Sequence, residues 1–126
     1  MTTARTARAT LLASALVVAC ASGPATGPDA RTVPKLDLAP YAVHEECVNL
    51  AAGDRLDWRF ESSVPLAFNI HYHDAGRIVM PITRDDATSE AGVFAPRLKQ
   101  DYCLMWEAGA PGAIIAYRMN VRRAAP

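Results

Sequence analysis

The stretch RLDWRFE, residues 55–61, followed after a short break by LAFNIHYH, residues 66–73, decides how this chain folds. Leu56, Trp58 and Phe60 alternate with Arg55, Asp57, Arg59 and Glu61, so an extended chain is apolar on one side and charged on the other. Successive side chains of a strand point to opposite faces, whereas a helix spreads these three large groups around its circumference. Leu66, Phe68, Ile70 and Tyr72 repeat the pattern against Ala67, Asn69, His71 and His73. With Ser62 to Pro65 as a turn, the two strands predict an antiparallel hairpin, and Asp74-Ala75-Gly76 predicts the next turn.

The period of two continues outward. Ile78 to Ile82 reads as a short strand interrupted by Pro81, which cannot donate a ladder hydrogen bond and so favours a sheet edge. The polar run Arg84 to Ala91 reads as a loop or at most one helical turn. From Arg97 to Trp106 a strand carries Leu98, Tyr102, Leu104 and Trp106 on one face, with Cys103 and Met105 on the other. After a turn at Ala108 to Gly112, Ile115, Tyr117, Met119 and Val121 alternate along a last strand. Trp58, Phe60, Phe68, Tyr102 and Trp106 all fall on apolar sides and predict a core, which leaves Tyr72 and Tyr117 as candidates for a contact surface. Short strands with turn signals at this spacing predict an all-β fold, a small antiparallel β-sandwich over residues 41–123, with 124–126 as a tail. At 126 residues the chain has room for one such domain.

Residues 1–19 have the layout of an export signal: Arg5 and Arg8, an apolar run from Ala9 to Ala19, then small residues. The run is too short to span a bilayer as a helix. It ends in Val17-Val18-Ala19-Cys20, which resembles the bacterial lipobox, where the cysteine receives a thioether-linked lipid and becomes the mature N-terminus. Residues 20–40 follow as the lipidated Cys20 and a flexible, disordered tether, in which Ala, Ser, Gly and Thr are broken by Pro24, Pro28, Pro34 and Pro40. Ala21 and Ser22 lack the aspartate that retains many Gram-negative lipoproteins in the inner membrane. The expected location is therefore the periplasmic face of the outer membrane.

Cleavage before Cys20 leaves 11 basic against 13 acidic side chains. No basic face is clustered enough to engage nucleic acid, and Arg122 and Arg123 are too small a group to change that. Cys47 and Cys103 remain in an oxidising compartment, where disulfides persist. A bridge closing a loop of about 57 residues contributes roughly 4 kcal/mol in the chain-entropy model. Two free thiols or a pair of metal ligands is the alternative.

The most distinctive polar group is His71-Tyr72-His73-Asp74. Residues two apart share a strand face, so His71 and His73 can place two imidazole nitrogens on one Zn²⁺ or Cu²⁺ ion, with Asp74 at the turn and His44 as further candidate ligands. The bland reading makes His71, His73 and Asn69 the polar face of a half-solvated strand. Enzymatic readings find less support. There is no Gly-rich phosphate loop, nucleophile elbow or Cys-x-x-Cys motif. Ser62 and Ser63 suit local hydrogen bonding, and Asp85, Asp86 and Glu90 suit a solvated loop.

From Glu46-Cys47 through Val121 the chain resembles the GOLD (Golgi dynamics) domain, a small β-sandwich of eukaryotic cargo receptors and some phospholipid-transfer proteins. The resemblance is carried by Glu46-Cys47, Leu56-Asp57-Trp58-Arg59-Phe60, Phe68-Asn69-Ile70 and Tyr102-Cys103-Leu104-Met105-Trp106. It implies a bridge between Cys47 and Cys103 and a general role in binding proteins or lipids. The chain departs from the pattern at Glu107-Ala108, where the family usually has an asparagine, and it lacks the receptors' transmembrane helix and cytosolic tail, so their trafficking role does not carry over. The sequence thus predicts a membrane-tethered periplasmic lipoprotein, a non-enzymatic module that binds or supports a protein or envelope component without a required cofactor. The alternative is a periplasmic Zn- or Cu-binding lipoprotein.

Overall fold

A computed structural model describes residues 29–125. Among them are six strands and no helix: β1 (Ala30–Leu38), β2 (Val43–Leu50), β3 (Arg55–Asp74), β4 (Arg77–Phe94), β5 (Gln100–Glu107) and β6 (Ala113–Arg122). All pairings are antiparallel, in the order β1-β6-β3-β5-β2, with β4 along the other edge of β3.

β3 belongs to both layers. Its first half, Arg55 to Ser62, pairs with β6, and its second half, Ala67 to His71, pairs with β5. Between the halves the register with β4 slips at Glu61/Leu66 and again at Leu66/Phe68, and the sheet folds over itself there. The local sequence favours this crease. Pro65 has no N–H to give a ladder, the Ser62 hydroxyl donates to the Val64 carbonyl at 2.6 Å, and the Ser63 hydroxyl accepts the Ile114 N–H at 2.9 Å. β4 bends alongside, with Asp86 at a φ of 53°. β1, β6 and the first half of β3 form one layer; β2, β5 and the second half of β3 form the other.

The layers meet through aromatic rings. Phe60 and Phe68, on opposite sides of the crease, have ring centroids 4.8 Å apart, and Trp58 lies 4.8 Å from Phe68. Trp106 of β5 stacks on Tyr117 of β6 at 4.5 Å, although those two strands share no ladder. Leu50, Leu56, Ile70, Leu104 and Ile115 complete the core. Burying an aromatic side chain removes about 150–250 Å² from water, an upper figure of roughly 4–6 kcal/mol of transfer free energy each.

Several sequence expectations are corrected. Residues 55–61 and 66–73 are not hairpin partners; they run end to end in one bent strand, and the true hairpin is β3–β4 across the Asp74–Arg77 turn. Arg84 to Ala91 is no loop: it lies within β4, a solvent-facing edge whose side chains are largely exposed and therefore polar. Ala30 to Leu38, placed within the tether spanning 20–40, pairs with β6, so the folded domain begins before residue 41. Pro34 is accommodated because β1 is an edge strand and its register shifts between Val33 and Leu36. Leu98 precedes β5 and is exposed, its carbonyl accepting the Tyr102 hydroxyl at 3.1 Å. Tyr117 is core, not surface, and Tyr72 is half-buried against Tyr102.

Phe68 touches Trp58, Phe60 and Trp106 and is 0% exposed. Phe68→Ala therefore removes the ring that joins the layers, with an expected loss of about 3–5 kcal/mol of stability, read from the urea unfolding midpoint. A loss below about 1 kcal/mol contradicts this packing.

Candidate functional site

Two of the connections between the layers cross at the creased end. The β1–β2 connection, residues 39–42, and the β5–β6 connection, residues 108–112, are zipped together: Tyr41 N–H donates to the Gly109 carbonyl at 3.1 Å and Ala108 N–H to the Ala42 carbonyl at 3.0 Å. Gly112 N–H donates back to Gly109 at 3.0 Å, closing the second loop on itself. Gly112 is required there, because at its φ of 71° a side chain would drive a Cβ to 2.6 Å from the Leu38 carbonyl oxygen. Tyr41, itself at a φ of 60°, is held outward and is 72% exposed. Val43, at the start of β2, and Ile114, near the start of β6, are also exposed. Neither segment, 39–43 nor 108–114, contains a charged residue.

The open side of the sandwich, opposite the β3–β4 hairpin, is tied by a polar chain between layers. Tyr117 on β6 donates its hydroxyl to Glu46 Oε2 at 2.9 Å, so its oxygen accepts from His44 Nε2 at 2.9 Å, and Arg31 of β1 reaches the same carboxylate at 3.3 Å. Burial, reinforced by the Glu46 carboxylate, holds the Tyr117 hydroxyl well above the usual tyrosine range. At the far end Arg123 gathers Asp29 and Asp54 while Asp54 accepts the N–H groups of Ala51 and Ala124. These main-chain donors lead in lowering the Asp54 pKa.

The histidines separate by face. His44 points inward, stacked near Trp106 and committed to Tyr117. His71 points outward from the second layer, with Asn69, Glu45 and the Cys47–Cys103 disulfide, so the fold does not bring His44 to His71. The disulfide joins directly opposed residues of β2 and β5, with Cα atoms 4.0 Å apart. His73 stands beside His71, ring centroids 5.3 Å apart, and is exposed. Asp74 pairs with Arg77 at the turn. Cys20 lies outside the described residues. Sequence reasoning missed Tyr41, and it offered Glu45 only with His44 and Glu46, as groups that could complete a site if their strand ran beside the one holding His71. Glu45 needed the β2–β5–β3 register to bring it to His71, and the cue for Tyr41 was its place as the single aromatic in an uncharged segment.

His71 is 3% exposed, and its Nδ1 lies 2.8 Å from Asn69 Oδ1. An amide oxygen only accepts, so Nδ1 carries the hydrogen. Nε2 faces Glu45 Oε1 across 3.6 Å, longer than a hydrogen bond. Desolvation by burial lowers the His71 pKa, the Glu45 carboxylate opposes this, and His73 adds to the lowering.

No protein-family model matches the chain, and no curated protein matches it in sequence. The fold is similar to the crystal structure of PliG from Aeromonas hydrophila, a periplasmic lysozyme inhibitor of g-type lysozyme, with a TM-score of 0.59 at 14% identity, over 78% of this chain and 90% of that one. At that identity the likeness is one of fold: an all-β, antiparallel curled sheet.

Because His71 is held below the ordinary histidine value of 6.5, the unfolded chain takes up a proton that the native chain resists. The neutral ring's contribution is therefore complete above that value and lost as the pH falls below it. Urea unfolding at neutral and mildly acidic pH should show the stability gap between wild type and His71→Gln narrowing on acidification; a gap independent of pH contradicts the assignment.

Proposed function

We propose that this chain is an exported, non-catalytic module that binds a protein partner through its creased end, and that Cys20 carries a lipid tethering it to the cell envelope, on the periplasmic face of the outer membrane. The observation that carries the reading is Tyr41, exposed at the tip of two interlocked loops that hold no charged residue. Tyrosine is enriched among residues that dominate binding energy at interfaces. Main-chain hydrogen bonds already fix the loops, so docking costs little ordering entropy. A protruding, uncharged tip suits a concave protein surface.

The fold likeness to PliG supports a protein partner and makes a g-type lysozyme the first one to test. The disulfide supports export into an oxidising compartment. Export followed by lipidation at Cys20 rests on the charged start, the short apolar run and the Val17-Val18-Ala19-Cys20 ending.

The test measures binding and inhibition of g-type, c-type and i-type lysozymes by the wild type and by Tyr41→Asp. The expected loss is about 2 kcal/mol or more, roughly thirtyfold in Kd. Equal affinity in the two proteins overturns the creased end as the binding surface, and no binding to any of the enzymes overturns the lysozyme partner. For the anchor, Cys20→Ser should move the protein from the detergent phase to the aqueous phase, and a variant that stays in the detergent phase contradicts lipidation.

A further inference from the structure

The outer face of β2, β5 and β3 presents two rows of side chains across three strands. Cys47 pairs with Cys103 and Cys103 with His71; in the adjacent row Glu45 pairs with Met105 and Met105 with Asn69. This register gathers residues far apart in sequence, so that a His71 ring nitrogen, a Glu45 carboxylate oxygen and the Cys103 sulfur all lie within 4.8 Å of one another. The creased end plays no part in this arrangement.

His71 is built as a ligand is built. It is outward-facing yet almost wholly buried, and Asn69 fixes its tautomer and ring orientation. In the neutral ring Nε2 carries a lone pair, and that lone pair looks at the Glu45 carboxylate from 3.6 Å. A lone pair facing an anion is an arrangement that a cation relieves. An outer group that pins the non-ligating nitrogen of a histidine is the usual support of a metal site.

We propose that Glu45, Cys47, His71 and Cys103 form a latent Zn²⁺ site that opens when the Cys47–Cys103 disulfide is reduced. In the bridged form both sulfurs are spent on each other. A dithiol reductant opens the bridge in two exchanges. One of its thiolates attacks a bridge sulfur, forming a mixed disulfide and releasing the other cysteine as a thiolate; its second thiolate then displaces the remaining cysteine and leaves the reductant as its own disulfide. Two electrons pass from the dithiol to the bridge. Cys47 is exposed on this face, so the reductant has a point of attack. Zn²⁺ then takes two thiolates, the His71 Nε2 and a Glu45 oxygen, and the two thiol protons leave to solvent. Two sulfurs, one nitrogen and one oxygen suit a four-coordinate zinc ion. The metal ties β2 to β5 where the disulfide did, so one cross-link replaces the other.

The test uses the purified full chain, oxidised or reduced with dithiothreitol and desalted without oxygen, titrated with Co²⁺ and then Zn²⁺. The reduced protein should show thiolate-to-cobalt charge-transfer absorption and the visible bands of tetrahedral Co²⁺, both bleached by one equivalent of Zn²⁺, and the oxidised protein should show neither. Asn69→Ala should keep the sulfur signal and weaken affinity by about 10- to 100-fold, the range for a lost outer-shell partner. His71→Gln should weaken it further and shift the visible bands. Absence of charge transfer in the reduced protein, or affinity unchanged in both variants, overturns the site. Should reduction abolish the β-sheet circular dichroism, its recovery on adding Zn²⁺ supports the site and failure to recover overturns it.

Discussion

The fold rests on a single constraint, the crease in β3 at Ser62 to Pro65. One strand supplies Trp58 and Phe60 to the first layer and Phe68 and Ile70 to the second, and these four side chains form the centre of the core. A turn at that point would make the two halves neighbours in one sheet, facing the same way. A bend instead sets them face to face, so the aromatic rings that must leave water find one another. The layers therefore close wherever the crease puts them. The β3–β4 hairpin shuts one side, and the Arg31–Glu46–Tyr117–His44 chain ties the other.

The same geometry sets out the two functional regions. Folding the sheet over brings the β1–β2 and β5–β6 connections together at the creased end, and short connections crossing side by side are able to hydrogen-bond to each other. Tyr41 is exposed there because the backbone around it is already satisfied by Gly109 and Ala42 lies against Ala108. Away from the crease, the central strand positions of the second layer are so enclosed by their neighbours that even outward residues are buried. Asn69 and His71 lie in that zone, which accounts for their pairing with each other and for the lowered His71 pKa.

The strand content was legible wherever large apolar and charged residues alternate, at 55–61, 66–73, 102–106 and 115–121. What the sequence could not specify was partnership. Ser-Ser-Val-Pro carries the same local signals as a turn and as a bend, and only the non-local pairing of β5 and β6 on one edge of β3 distinguishes them. β1 and the second half of β4 escaped notice because they are edges: β1 carries few apolar residues around Pro34, and Ala87 is the single buried residue of β4. The outward face holding His71 and His73 could be read from their spacing alone. Glu45 and the cysteine row needed the register of three strands. His44 falls on the inner face with Glu46, a parity evident only once residues 43–50 are known to be a strand.

The most direct test of the protein-binding account is a map of the contact surface: backbone amide chemical shifts of the isotopically labelled protein, recorded while a g-type lysozyme is added. The account predicts shifts concentrated at residues 39–43 and 108–114, with the outer faces of both layers unmoved. Shifts confined to β4 or to the outer face around His71, or none at saturating lysozyme, would contradict it.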